Sequence, residues 1–140
     1  MPARKPIRVL VAEDDALIRD LVVELVEAEA DMELSGAVVD ADEAIALARE
    51  ARPDIALLDV RMPGGGGPRA AREIRRVSPG TRIVVLSALG DRTTVDEMLR
   101  AGAVSYLLKG TSVEEIVEAI RRVAEEPLPI PDLESERRDN

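Results

Sequence analysis

Apolar positions along the chain recur with two periods, one typical of strands and one typical of helices. Short apolar or alternating runs predict five strands, at residues 7–12, 32–39, 55–58, 82–87 and 104–108. After each run, apolar residues recur at three- and four-residue spacing, which predicts an amphipathic helix. Strand and helix therefore alternate five times between residue 7 and the proline at position 127.

Residues at the expected helix ends support the five helices. Asp15, Asp40, Asp91 and Ser112 stand where N-cap residues are expected, and Gly102 stands at a C-terminal stop. The first helix is predicted over residues 16–30, and Pro68 is predicted to start the third. The apolar residues predicted to face the core of the helical layers are Leu17, Ile18, Leu21, Val22, Leu25, Val26, Ala71, Ile74, Val77, Val95, Met98, Leu99, Ile116, Val117, Ile120 and Val123.

The strand at residues 55–58 has no polar face. A strand that is apolar on both faces belongs in a parallel sheet covered by helices on both sides. Repeated strand–helix units at these intervals fit right-handed crossovers within one sheet. The run at residues 32–39 instead alternates, with Glu33 and Ser35 on one face, as an edge strand would.

Composition limits the class of protein. The length of 140 residues suits one domain, and an apolar content of 46% with 1% aromatic residues predicts an aliphatic core. The net charge of −9 argues against direct nucleic-acid binding, which needs a basic face. Cysteine is absent, and no apolar run is long enough for a membrane span or a signal peptide, so we expect a cytoplasmic protein. We predict one domain at residues 1–126, with a flexible lead-in over residues 1–6, and a proline-rich, then charged, disordered tail at residues 127–140.

Polar side chains follow four of the predicted strands. Glu13 and Asp14 follow the first, Asp59 the third and Lys109 the fifth, while Ser87 ends the fourth. Ligands bind at the carboxyl ends of parallel strands, so these groups should meet at one edge. Clustered carboxylates without His or Cys suit Mg²⁺, and the lysine then needs an anion such as a phosphoryl group.

These residues resemble the receiver domains of response regulators, the phosphoacceptor half of two-component signalling. The matching motifs, in the order and spacing of that family, are Glu13-Asp14, Asp59 with Met62-Pro63, Ser87-Ala88, and Tyr106 followed by Lys109-Gly110. The resemblance covers residues 7–125. The glycine loop and the residues from Tyr106 to Ser112 look most like the NarL/LuxR-like subfamily, which usually carries a helix-turn-helix output domain; we do not expect that domain within these 140 residues.

The resemblance implies a fold and a set of roles. The fold is α/β and flavodoxin-like, with a five-stranded parallel sheet in the order 2-1-3-4-5 and helices on both faces. The implied roles are phosphoacceptor for Asp59; Mg²⁺ ligands for Glu13, Asp14, Asp59 and the backbone carbonyl of Arg61; phosphoryl contacts for Lys109 and Ser87; and switch residues for Ser87 and Tyr106. Glu13 stands where the family more often has aspartate, which lengthens one arm and favours contact through water.

The implied function is a switch in transcription regulation rather than an enzyme. A histidine kinase would phosphorylate Asp59, and the surface of the fourth helix, fifth strand and fifth helix would then change to control an output. Phosphorylation-dependent homodimerisation and slow autodephosphorylation are expected with it.

Two other functions are compatible with parts of the pattern. Haloacid dehalogenase-type hydrolases also use a strand-end aspartate and Mg²⁺, but they need a second aspartate two residues later, where this chain has Arg61. A receiver-like module that works without phosphorylation would need a defective site. Taken singly, Asp59 can be a turn residue, Tyr106 a packing residue, and Glu13 and Asp14 the acidic start of a helix.

A run of glycines and a group of arginines are each interpreted as structural features and not as binding sites. The glycines at 64–67 lack the Lys-Ser/Thr of a P-loop and the spacing of a dinucleotide fingerprint, so we predict a mobile turn. Arg72, Arg75 and Arg76 are predicted to form a solvated helix face.

Overall fold

The computed structural model describes residues 5–127, which form five strands and five helices. The strands are β1 (Ile7–Ala12), β2 (Met32–Val38), β3 (Ile55–Leu58), β4 (Arg82–Ser87) and β5 (Ala103–Leu108), and the helices are α1 (Ala16–Glu27), α2 (Ala41–Ala51), α3 (Gly66–Val77), α4 (Arg92–Ala101) and α5 (Val113–Glu125). All pairings are parallel and the order is β2-β1-β3-β4-β5, which confirms the predicted order. The predictions for residues 1–4 and 128–140 lie outside the described residues.

Two apolar layers cover the sheet. Leu10 and Ala12 of β1 face a core formed with α2, α3 and α4, whereas Val9 and Val11 face a core formed with α1 and α5. Alanines dominate the inner faces of α2 and α3, and small side chains let helices approach the sheet and each other closely. The sheet is therefore buried on both sides, as predicted. Within residues 5–127, no helix is long and apolar enough to cross a membrane.

The predicted caps are present at four helix starts. The side chains of Asp15, Asp40, Asp91 and Ser112 each accept a hydrogen bond from a backbone N–H in the first turn of the following helix. Helix α3 differs, because it begins at Gly66 and not at Pro68. Pro68 still lies in the first turn, where backbone N–H groups have no partner within the helix, so the proline loses no hydrogen bond. Helix α1 ends at Glu27, three residues before the predicted end at residue 30.

The prediction that Leu17, Leu21 and Leu99 face the core is wrong, because these three helical side chains are exposed. Leu17, Leu21 and Leu99 are 71%, 57% and 47% exposed, and Val104 on β5 is 52% exposed. Helical period identifies an apolar stripe, but the stripe on α1 and α4 is wider than the sheet surface beneath it. Leu21 borders one surface groove, and Leu99 and Val104 border another.

Candidate functional site

Hydrogen bonds extend the sheet past the ends of its strands. The Asp59 N–H donates to the Ala12 carbonyl at 3.0 Å, and the Glu13 N–H donates to the Val38 carbonyl at 3.0 Å. The Lys109 N–H donates to the Ser87 carbonyl at 2.7 Å. Each residue that follows a strand is thereby held by a neighbouring strand, so the functional side chains start from fixed backbone positions.

Three carboxylates meet at this edge, as the sequence predicts. Glu13, Asp14 and Asp59 each offer an oxygen within 4.8 Å of the others. Glu13 and Asp59 are 4% and 7% exposed, while Asp14 is open to solvent. Oxygen donors with solvent access on one side fit Mg²⁺, which keeps several waters and takes one or two carboxylates. The structure therefore supports an acidic metal site.

Lys109 is the cation of the cluster. Its Nζ lies 2.7 Å from Glu13 Oε1 and 3.2 Å from Asp59 Oδ2. The second oxygen of Glu13 accepts a hydrogen bond from the Asp15 N–H at 3.2 Å, and Oδ1 of Asp59 accepts one from the Val60 N–H at 2.8 Å. The contact between Glu13 and Lys109 is absent from the sequence predictions, because 96 positions of chain separate the two residues and only the sheet order brings them together.

Burial changes the protonation of this cluster. Burial raises the pKa of Glu13 to about 7, and the hydrogen bond from Lys109 only partly opposes that effect. The nearby Asp59 carboxylate raises the pKa of Glu13 further. Burial alone would lower the pKa of Lys109, but its bond to Glu13 and the charges of Asp59 and Glu13 raise it above its usual value. Lys109 is thus firmly protonated, and Glu13 exchanges a proton near neutral pH.

Ser87 and Tyr106 both bond to the backbone of the same residue, Leu89. The buried Ser87 hydroxyl oxygen accepts a hydrogen bond from the Leu89 N–H at 3.1 Å, and the Tyr106 hydroxyl donates to the Leu89 carbonyl. The sequence predicts that the two residues end adjacent strands. β4 and β5 are adjacent, but Tyr106 pairs with Val85 while Ser87 pairs with Leu108. The structure therefore connects the two side chains through Leu89. The sequence pattern does not predict this role for Leu89.

The glycine loop after Asp59 is tied to α2. The Ala41 N–H donates to the Pro63 carbonyl at 3.0 Å, and one guanidinium nitrogen of Arg69 donates to Gly64 and to Asp42, both at 2.7 Å. A Cβ on Gly67 would lie 2.7 Å from the Asp59 carbonyl oxygen, closer than real contacts allow. These contacts hold a loop for which the sequence predicts only a mobile turn. The exposed Arg61 lies at the start of this loop.

An apolar groove opens beside the carboxylates. It has a volume of about 580 Å³ between α1 and α5, and its lining includes Ile18, Leu21, Val113 and Lys109. The exposed Leu21 of α1 therefore lies on the same side of the molecule as the lysine of the cluster.

Known proteins that are similar to this chain identify its family. The transcriptional regulatory protein YxjL of Bacillus subtilis is 43% identical over 118 residues, which are 84% of this chain and 54% of that protein. The signal receiver domain of the response regulator NarL from Mycobacterium tuberculosis superposes with a TM-score of 0.84 and 33% identity, over 89% of this chain and 100% of that domain. A LuxR-family DNA-binding response regulator from Staphylococcus aureus superposes with a TM-score of 0.79 and 26% identity, over 84% of this chain and 98% of that one.

The relatives also set the extent of the match. The chain spans about half the length of the curated relatives it matches. The model of the response regulator receiver domain family matches residues 9–121, which include every strand end described above. The relatives are of NarL/LuxR type, which confirms the predicted subfamily. The chain therefore belongs to the response regulator receiver domain family of two-component signalling.

Proposed function

We propose that Asp59 accepts a phosphoryl group from a histidine kinase and that the domain is a phosphorylation-activated switch. The surroundings of Asp59 are the main support for this proposal. Asp59 is buried at the carboxyl edge of the sheet, with Lys109 Nζ 3.2 Å from Oδ2 and two further carboxylates beside it. Phosphoryl transfer depends on positioning and charge neutralisation, and this arrangement supplies both.

The transfer balances without any other reactant. A carboxylate oxygen of Asp59 attacks the phosphorus of a phosphohistidine, the P–N bond breaks, and the electron pair stays on the imidazole nitrogen, which takes a proton. Lys109 contacts the phosphoryl oxygens once its bonds to Glu13 and Asp59 are released. Ser87 contributes its hydroxyl from the neighbouring strand.

Glu13, Asp14, Asp59 and the backbone carbonyl of Arg61 would hold Mg²⁺. When bound, the ion neutralises charge on the phosphoryl oxygens. Asp14 is exposed and offers a direct ligand, whereas Glu13 is engaged with Lys109 and suits a contact through water.

Hydrolysis of the aspartyl phosphate is proposed to be slow. A hydrolase of the haloacid dehalogenase type needs an acid two residues after the nucleophile, and the residue there is the exposed Arg61. A guanidinium holds its proton at every relevant pH and cannot alternate as acid and base.

The phosphorylation signal is proposed to leave the site through Leu89. If Ser87 turns towards the phosphoryl group, its oxygen no longer accepts from the Leu89 N–H, and the Leu89 carbonyl that holds Tyr106 can move. Tyr106 borders a groove of about 610 Å³ between β5 and α5 that contains Glu114, Glu115 and Glu118. Changes there would alter the surface of α4, β5 and α5, which would then support homodimerisation or partner binding and control an output.

The groove between α1 and α5 is proposed to receive the kinase. A phosphohistidine must approach Asp59 from the edge where Lys109 lies, and Lys109 lines this groove. Exposed Leu17 and Leu21 give the approaching protein apolar surface to bury.

Phosphorylation with acetyl phosphate and Mg²⁺, followed by intact-mass measurement, tests the assignment. We expect one phosphoryl adduct on the wild type and none on Asp59→Asn, because the amide is a poor nucleophile. Asp54→Asn, which changes the aspartate just before the same strand, is the matched control and should be modified normally. A full adduct on Asp59→Asn would refute the assignment, and release of inorganic phosphate with rapid turnover would favour the hydrolase.

A further inference from the structure

A second apolar groove lies at the edge of the sheet opposite the carboxylates. It has a volume of about 410 Å³ and lies at the amino ends of β4 and β5, and its lining includes Leu99, Val104 and Arg75. Leu99 and Val104 are 47% and 52% exposed. Single exposed apolar residues are common, but these two border one concavity that the phosphoacceptor site does not use.

The chain leaves the folded domain at this groove. Arg82, the first residue of β4, donates from one guanidinium nitrogen to the carbonyls of Val123 and Ala124 at 3.0 and 3.2 Å. Its other terminal nitrogen donates to the Glu126 carbonyl. These bonds satisfy the last carbonyls of α5 and fix the direction of the chain after the helix. Glu126 and Pro127 then line the groove themselves.

The residues that follow Pro127 have a composition suited to binding in this apolar groove. Leu128, Ile130 and Leu133 are apolar, and prolines alternate with the first two in the sequence Pro127-Leu-Pro-Ile-Pro131. Proline restricts a segment before it docks, so less conformational entropy is lost on binding. From Pro127, three residues reach roughly 10 Å, which is the scale of the groove.

The charge at the groove is also complementary to the charges of the segment that follows Pro127. Among residues 5–127, Arg75 makes no ion pair, although it borders the groove. Asp132 and Glu134 follow the apolar positions in the sequence. An acidic segment beside Leu133 would supply the counter-charge.

We propose that residues 128–133 of this chain occupy the groove formed by Leu99, Val104 and Arg75. The tether gives this segment an effective concentration on the order of millimolar, so a weak contact suffices and a separate partner competes poorly. The segment packs in the groove and does not extend the sheet. Helix α5 lies on the same face as α1, and a sixth parallel strand beside β5 would then need a left-handed crossover.

Engineered cysteines test the contact in the full chain, which has no cysteine of its own. We expect Val104→Cys with Ile130→Cys to form an intramolecular disulfide under mild oxidation at least about tenfold faster than a control pair, because docking raises the local concentration of the two thiols. The control is Arg122→Cys with Ile130→Cys, since Arg122 is exposed on α5 and only eight residues before Ile130 but lies outside the groove. Equal rates for the two pairs would overturn the proposal, and so would a disulfide-linked dimer as the main product, which would place a second copy in the groove.

Thiol labelling gives a measurement that needs no cross-link. In the Val104→Cys full chain, labelling should become faster when Leu128→Ser and Ile130→Ser are added, because the tail no longer covers the thiol. Labelling of Arg122→Cys should not respond to the same two changes. Unchanged labelling at position 104, with the fold verified by circular dichroism, would show that the groove is not covered by this segment.

Discussion

Glu13 combines two roles that oppose each other at neutral pH. Its carboxylate belongs to the acidic cluster that suits Mg²⁺, yet its Oε1 lies 2.7 Å from Lys109 Nζ. An aspartate here would be one methylene group shorter and would extend less far towards Lys109. Burial raises the pKa of Glu13 to about 7 despite that lysine. The charged form of Glu13 is therefore less stable in the folded protein than in water, even with its ion pair.

We predict that Glu13→Gln stabilises the metal-free protein at pH 8. The folded-state pKa is above the unfolded value of about 4.3, so the folded state binds more protons and wild-type stability falls as pH rises through that interval. The gain should be on the order of 1–3 kcal/mol at pH 8, since one pKa unit corresponds to about 1.4 kcal/mol, and it should vanish near pH 4. Urea unfolding without divalent ions measures it.

The exposed Glu33→Gln is the control for this measurement and should change the free energy of unfolding little at either pH. If Glu13→Gln instead lowers stability at pH 8, the attraction to Lys109 outweighs the cost of burying the charge, and the proton affinity ascribed to Glu13 is wrong.

At the scale of elements, the backbone of Leu89 connects the fourth and fifth strands. Its N–H bonds to Ser87 at the end of β4, and its carbonyl bonds to Tyr106 in the middle of β5. These two groups belong to consecutive peptide units that meet at the Leu89 Cα, so a change in one side chain can reach the partner of the other through the backbone of a single residue. Tyr106 is also the only aromatic residue in the chain, so its fluorescence reports this connection alone.

We predict that the Tyr106 emission changes on phosphorylation of the wild type and stays nearly constant in Ser87→Ala. Alanine leaves the Leu89 N–H without its acceptor in both states, so phosphorylation no longer changes that bond. Fluorescence with acetyl phosphate, alongside intact mass to establish the adduct, measures it. Ser105→Ala, next to Tyr106, should keep the wild-type change. A phosphorylated Ser87→Ala that shows the full change would mean that the signal takes another route.

Local patterns predict the elements well because the forces behind them are local. Asp40 and Ser112 cap their helices through residues only three positions away. Exposure is different, because Leu17 and Leu99 look inward by period but lie where no other described element covers them. The carboxylate cluster follows from strand ends, whereas the bond from Lys109 to Glu13 and the bonds to Leu89 depend on side-chain packing across the sheet, which no spacing encodes.

At the scale of the whole molecule, one arginine joins the last helix to the first third of the chain. Arg121 of α5 bonds to Asp31 at 2.8 Å and to Glu29 at 2.6 Å, both in the turn between α1 and β2, and to Glu118 at 3.3 Å. The bond to Arg121 lowers the pKa of Asp31. Residues 90 positions apart are thereby held together where the sheet order leaves β2 and β5 at opposite edges.

We predict that Arg121→Ala lowers the urea midpoint at pH 7 and that this loss shrinks as the pH is lowered towards 3. The pKa of Asp31 is depressed in the folded state, so its contribution is present above the unfolded value of about 3.9 and is lost as Asp31 and its neighbouring carboxylates take up protons. Exposed ion pairs are individually weak and screened by salt, but three carboxylates share this guanidinium, so the effect should be measurable at low ionic strength.

Arg122→Ala is the matched control, because Arg122 is the next residue on α5 and makes no ion pair among residues 5–127. Equal midpoints for the two variants at pH 7 would show that the ion pairs of Arg121 add no measurable stability, and a loss that persists unchanged at pH 3 would show that Arg121 acts by packing and not through its charge.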